Sequence, residues 1–285
     1  MVVKKLINRR KSAGIRNKSY FEVPQRLDAG DLTYAMLVGL IEGKGWFTIS
    51  KKGKYLMYEF GIELSIRDVQ LIYKIKDMLG VGTVFFRDKE ERSKTVILRV
   101  RNKSNLCTVI LPIFDRYPLL SNKQYDYLRF KNAILKGLKY TEELDNYNRP
   151  TIPLNSVEYI SNVNYFSAWL VGFIEAEGCF SIYTPSARSL KVASFDIAQT
   201  NGENLILAIS NYLSFTQKIH LDAAQQTNCF KVKVTSARSV ENIVKFLHKA
   251  PVKLQGYKKL QYLLWLKELR HITRYTNKFI IPENY

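Results

Sequence analysis

Leu37-Val38-Gly39-Leu40-Ile41-Glu42-Gly43-Lys44-Gly45 returns, altered, as Leu170-Val171-Gly172-Phe173-Ile174-Glu175-Ala176-Glu177-Gly178. The flanks repeat too. Tyr34-Ala35-Met36 and Ser167-Ala168-Trp169 precede the two copies; Trp46-Phe47-Thr48-Ile49-Ser50 and Cys179-Phe180-Ser181-Ile182-Tyr183 follow them. A duplicated stretch at this spacing predicts two similar half-domains. Within each copy, Gly39 and Gly43, or Gly172 and Ala176, are four apart. On a helix they share one smooth face, which lets two backbones approach closely. Glycine inside a helix costs about 1 kcal/mol relative to alanine, so a packing role is expected. Each copy also carries acid beside its terminal glycine, where the helix dipole disfavours a carboxylate. At a two-fold seam of a very basic protein, such an acid points to a metal ion facing a phosphate backbone.

The rest of the composition agrees. The chain has 285 residues, 44 Lys and Arg against 25 Asp and Glu, and a net charge of +19. That excess points to a polyanion, with nucleic acid first and an anionic membrane surface second. Three cysteines (Cys107, Cys179, Cys229) and three histidines (His220, His248, His271) fit neither a disulfide framework nor a zinc pattern. No run of about 18 apolar residues predicts a transmembrane helix, and the N-terminus lacks a secretory apolar segment.

Residues 1–30 form a basic stretch with no acid before Glu22. A nucleic-acid-docking arm, a remnant of a translational fusion, a transit peptide and plain disorder all remain open readings. Asp31 or Thr33 is placed to cap a helix running to about Lys44. Alternation then predicts strands over 46–51 and 55–66, with Lys51-Lys52-Gly53-Lys54 as a basic hairpin turn. Arg67-Asp68 opens a helix stopped by Gly80. Strands near 82–87 and 95–101 and helices near 103–116 and 121–138 complete a unit read as αββαββα. Acids and prolines mark 141–164 as a linker. The same unit restarts at 165 and runs to 285, with the first half spanning 31–140. The class is α+β, each half carrying an antiparallel sheet.

The strings LVGLIEG, KKGKYL, LSIRDVQLIYKIK, SNKQYDYLRF, YFSAWLVGFIEAEGCFS, ASFDIAQ and KLQYLLWLK carry a strong resemblance. The chain resembles the single-chain LAGLIDADG homing endonucleases, and among them those with maturase character encoded in fungal mitochondrial cytochrome b group I introns. The resemblance covers nearly everything from Leu32 to Tyr285. It implies that the two motif helices form the interface through Gly39, Gly43, Gly172 and Ala176. It implies curved sheets lying in the major groove of a DNA duplex, and magnesium (calcium or manganese able to replace it) between the terminal acids and the scissile phosphates. Glu177 is then one catalytic acid, and the carbonyls of Gly43 and Ala176 are further metal ligands. Glu42 and Glu175 pair or cap instead. The basic residue near each active site maps onto Lys123 and Lys258, for which plain phosphate contact is the competing role. Gln199 is a weaker candidate for ordering solvent. The resemblance also implies a mitochondrial matrix location, a monomer holding both halves in one chain, and its own intron RNA as a second partner.

One departure stands out. Lys44 occupies the position of the first catalytic acid. An ammonium does not ligate magnesium; it repels the ion and can satisfy the same phosphate as a fixed cation. Nicking of one strand, or no cleavage, is expected. Two functions follow: a weakened site-specific endonuclease, or an RNA-binding splicing maturase without DNA cleavage. Strand alternation makes Thr48, Ser50, Lys52, Lys54, Arg99, Arg101, Ser181, Tyr183, Lys231 and Lys233 the outward, DNA-facing candidates. Lys and Arg read guanine in the major groove, and Ser and Thr are less selective. Two half-domains a helical turn apart imply a pseudo-palindromic site of about 20 bp.

Overall fold

The computed structural model describes residues 33–88, 94–185, 190–221 and 228–285. The basic segment 1–30 and the alternative cap Asp31 lie outside the described residues. The first half runs α1 (Tyr34–Lys44), β1 (Gly45–Lys52), β2 (Tyr55–Ser65), a 3-10 turn at Ile66–Asp68, α2 (Val69–Leu79), β3 (Thr83–Asp88) and β4 (Lys94–Val100). Next, α3 (Lys103–Asn105) passes through a π turn, Leu106–Ile110, into α4 (Leu111–Arg116), and α5 (Lys123–Leu135) follows. A 3-10 turn (Thr141–Glu143) and α6 (Val157–Asn162) lie between the halves. The second half repeats the order as α7 (Phe166–Glu177), β5 (Cys179–Tyr183), β6 (Val192–Thr200), α8 (Glu203–Tyr212), β7 (His220–Leu221), β8 (Cys229–Val234), α9 (Ala237–Lys249), α10 (Tyr257–Leu269) and α11 (Thr273–Thr276).

Each half holds a four-stranded antiparallel sheet, ordered β1-β2-β4-β3 and β5-β6-β8-β7. The fold class is therefore as expected, and two or more helices close each unit, as expected from the helices near 103–116 and 121–138. Those helices decide which sheet face stays bare. Phe47 on β1 lies opposite Phe60, and its ring packs 4.8 Å from Phe114 and 5.2 Å from Tyr127. Phe180 on β5 lies opposite Phe195 and packs 5.1 Å from Tyr262 and 5.2 Å from Trp265. One face of each sheet is thus covered by its own helices. Thr48 and Glu59, or Ser181 and Ser194, stand opposite each other on the other face.

The halves meet through α1 and α7. A Cβ at Gly39 would stand 1.9 Å from the Trp169 carbonyl oxygen, and one at Gly172 1.9 Å from that of Met36. Only glycine allows backbones this close. Residues 35–42 of α1 are all buried, so the helix shows no single apolar stripe. Thr33 caps it, its Oγ1 accepting from Met36 N at 3.2 Å.

Three local features differ from expectation. Pro112 has no N–H to donate back into the preceding turn, and helix 103–116 takes up a π turn there. The helix expected over 121–138 spans only Lys123–Leu135, followed by Gly137 at φ 75°. The stretch 141–164, expected as a plain linker, contains α6, capped by Ser156 Oγ (3.1 Å from Tyr159 N) and anchored by buried Ile160. Its Asn155 donates to Leu120 O at 3.2 Å and accepts from Asn204 Nδ2 at 3.0 Å, strapping the halves together. No helix among the described residues is long and apolar enough to cross a membrane.

Candidate active site and nucleic-acid face

Because α1 and α7 cross at their glycines, their last residues emerge side by side where β1 and β5 begin. There Lys44 Nζ lies 3.0 Å from Glu177 Oε1, with the side chains 41% and 25% exposed. A Cβ on Gly43 would sit 2.6 Å from Glu177 Oε1 and 2.6 Å from Ala176 Cβ, so Gly43 makes the room that Glu177 uses. A lysine suits a helix C-terminus and a glutamate does not; the ion pair offsets the misplaced acid.

Glu42 and Glu175, two residues earlier, are buried and serve as staples. Glu42 accepts from Leu120 N at 2.7 Å, Ser121 N at 3.2 Å and the Ser121 hydroxyl. Glu175 accepts from Gln255 N at 2.8 Å and from the Gly256 N–H. Burial raises both carboxyl pKa values, that of Glu175 to about 6, while the hydrogen bonds pull the other way. Each glutamate ties a motif helix to the loop preceding α5 or α10. Lys123 is the first residue of α5 and Lys258 the second of α10, and both glutamates accept backbone N–H groups, as the expected capping requires.

Lys123 is buried, and its Nζ donates to Ile41 O at 2.8 Å and Gly45 O at 2.7 Å, clasping the end of α1. Burial lowers its pKa to about 8, against the opposing pull of Glu42. Two of the three donors of its ammonium are thus engaged by backbone carbonyls. Lys258 is partly buried; burial first, with Lys44 adding repulsion, lowers its pKa. Lys123 thus stays at the end of its own half's motif helix, with Glu177 among the charges acting on it, while Lys44 is among those acting on Lys258. Lys44 and Lys258 share a cavity of about 360 Å³ with Arg67, Asp68, Glu175 and Tyr257. Lys44 and Lys258 thus bring two ammonium groups to one cavity.

Gln199 does not join this group. It lies on the β6 face shared with Phe195 and Ile197, opposite that of Asp196, and packs against Gly202. No hydrogen bond links it to Glu177 or Lys44 among the described residues.

The donor set bears on a metal. Among the described residues, no group of three or more His, Cys, Asp or Glu side chains is placed to hold an ion. The seam offers one carboxylate, Glu177, with the carbonyls of Gly43 and Ala176 among the helix-end carbonyls that lack an intrahelical partner. That set fits one oxygen-ligated divalent ion beside Glu177, and it does not fit a second beside Lys44.

The bare sheet faces carry the outward candidates, in a different state from the one alternation suggests. Arg101 Nε donates to Glu59 Oε2 at 2.7 Å, Arg99 Nε lies 3.0 Å from the same oxygen, and Trp46 Nε1 donates to Glu59 Oε1 at 3.0 Å. Lys231 pairs with Asp196 at 2.8 Å, and Lys233 Nζ lies 4.8 Å over the Tyr183 ring. Ser181 and Ser194 share a 2.7 Å hydrogen bond, and Ser50 Oγ donates to Met57 O at 3.4 Å. Thr48, Lys52 and Lys54 are exposed. Glu59 and Asp196 are the residues sequence reading missed. Glu59 shares its strand parity with Gly61 and Glu63, so alternation alone could have found it.

The family model described as LAGLIDADG endonuclease matches residues 37–134 and 170–269. The probable intron-encoded endonuclease Cox1-I1b of Schizosaccharomyces pombe is 31% identical over 249 residues, covering 82% of this chain and 63% of that protein. The intron-encoded RNA maturase bI4 of Saccharomyces cerevisiae is 27% identical over 149 residues, covering 52% of this chain and 19% of that protein. The chain thus spans under two thirds of the length of these relatives. Among solved structures, I-SmaMI bound to an uncleaved DNA target with calcium ions superposes with a TM-score of 0.69 at 23% identity, covering 87% of this chain and 93% of that one. The homing endonuclease I-GzeII with its DNA target gives 0.70 at 18% identity, covering 88% and 94%. At this identity the likeness is one of fold.

Proposed function

The chain belongs to the LAGLIDADG family, and on that premise we propose that it binds one long, pseudo-palindromic DNA duplex and cuts no more than one of its strands. The observation that carries this reading is the Lys44–Glu177 pair at the seam between two bare, basic sheets. A duplex laid across both sheets brings its two central phosphates to that seam. On one side stand Glu177 and Lys123; on the other, Lys44 and Lys258. Glu177, with the carbonyls of Gly43 and Ala176, would hold magnesium, calcium or manganese. Such an ion supplies Lewis-acid activation of water and of the phosphate. Lys44 supplies a fixed charge instead. It attracts a phosphate oxygen, activates no water, and competes for the Glu177 carboxylate. DNA affinity therefore survives where cleavage does not. The likeness to intron-encoded proteins of fungi supports a mitochondrial origin.

The outward residues divide by task. Arg99 and Arg101, aimed by Glu59, suit base reading because a held guanidinium loses less freedom on contact. Lys52, Lys54, Lys231 and Lys233 suit phosphate contact and set the salt dependence.

The test is selection from a random duplex library, followed by strand-resolved cleavage of the recovered sequence in magnesium. We expect one long sequence of two related halves, nicked on one strand or left whole. Double-strand cutting, or no sequence preference, overturns the proposal.

A second reading is favoured by the same ion pair. With its one seam acid held by Lys44, the chain suits a maturase that binds its own group I intron RNA and cuts no DNA. Similarity to an RNA maturase supports it. Filter binding to structured intron RNA, with the selected duplex as competitor, separates the two.

A further inference from the structure

The loops leading into α5 and α10 are built alike but capped differently. Before α5, Ser121 caps locally, its Oγ accepting from Lys123 N at 3.1 Å. The matching position before α10 is Gly256, which has no side chain to offer. In its place Asp68, from the opposite half, accepts from Tyr257 N at 2.6 Å. A Cβ on Gly256 would stand 2.4 Å from Asp68 Oδ1, so the glycine opens the space the aspartate fills. Two further cross-half contacts hold the arrangement. Lys74 Nζ donates to Gln255 Oε1 at 3.1 Å, and the Arg67 guanidinium lies 4.9 Å over the Tyr257 ring.

An aspartate at a helix N-terminus satisfies a free N–H and meets the positive end of the dipole. Here the cap comes from the other half of the chain. The helix it caps carries Lys258 in its first turn, and Asp68 is also among the charges acting on Lys258. Lys123 is fixed differently, by carbonyls of its own half.

We propose that Asp68 is a positioning residue for Lys258, so that the first half-domain sets the basic group of the second half's site. This rests on the reading of Lys258 as a seam residue facing position 44. Its consequence is one-sided: loss of Asp68 disturbs the Lys258 side and spares the Glu177–Lys123 side.

The test uses the full chain with Lys44→Asp, which returns an acid opposite Lys258. Cleavage of each strand of an end-labelled target is followed separately. Adding Asp68→Ala should slow one strand roughly tenfold or more, as expected for a misplaced catalytic group, and leave the other unchanged. Asp68→Asn keeps an acceptor for Tyr257 N and should restore the slowed strand. A fold-wide defect would slow both strands together, and that result overturns the proposal. If Lys44→Asp cuts neither strand, the endonuclease reading fails first. Asp68 is then judged by amide exchange at Tyr257 and by the Lys258 side-chain NMR signal. Both should change in Asp68→Ala and the exchange should recover in Asp68→Asn; an unmoved Lys258 signal overturns the proposal.

Discussion

Lys44 and Glu177, the last residues of two helices from opposite halves of the chain, form an ion pair at 3.0 Å. Both side chains are partly exposed, so their attraction is screened and contributes little to folding. Glu177→Gln and Lys44→Met should each shift unfolding stability by less than about 1 kcal/mol. Glu177→Gln should also abolish any residual nicking. Urea titrations beside a plasmid nicking assay check both; a large stability loss would make the pair structural.

The glycine crossing is the opposite case. A methyl at Gly39 would stand 1.9 Å from a backbone carbonyl oxygen, which cannot rotate away. The helices must part, and overpacking of this kind costs about 1–3 kcal/mol or more. Gly39→Ala should lower the unfolding midpoint and weaken duplex binding together, because the angle between the sheets changes. Thermal melts and binding isotherms on the same preparations test this.

Glu175 gives stability a pH signature. Its folded pKa is raised to about 6, above the ordinary 4.5, so the folded chain holds this proton more readily than the unfolded chain. The burial penalty is full above pH 6 and is relieved as pH falls through 6 towards 4.5. Its size is at most about 2 kcal/mol. The stability of the parent relative to Glu175→Gln, which does not titrate, should therefore rise as the medium is acidified across that window. A difference that stays flat in denaturant titrations at several pH values contradicts the assignment.

Glu59 restrains two arginines on the bare face of the first sheet. Glu59→Gln removes the opposing charge, so duplex affinity should rise and the salt slope steepen by about 1 for each additional phosphate neutralised. A fall in affinity would instead mark Glu59 as a base reader, accepting from cytosine. Fluorescence anisotropy across a salt series distinguishes the two.

How far the sequence reveals this molecule depends on the kind of relationship. The repeat and the crossing glycines are legible because each is set by local spacing on a helix, whereas the pairing or capping role of Glu42 and Glu175 comes from the family resemblance. Phe47 and Phe180 announce the covered sheet faces through strand alternation. The clasp of Lys123 on Ile41 O and Gly45 O is not legible, since carbonyl positions leave no trace in side-chain identity. Asp68 and Gly256 are likewise silent: their relation exists only after the halves dock. Gln199 lies by parity on the side of its strand shared with Phe195 and Ile197. Pro112 is visible in the sequence, but the choice of a π turn over a break depends on packing of the neighbouring helix residues.

The most direct measurement compares the chain with Lys44→Asp on supercoiled plasmid carrying the selected target, in magnesium. Release of Glu177 and return of the second acid should give linear product, where the chain itself leaves nicked or intact circles. Tight binding by Lys44→Asp without any linear or nicked product would contradict the placement of the catalytic centre at this seam.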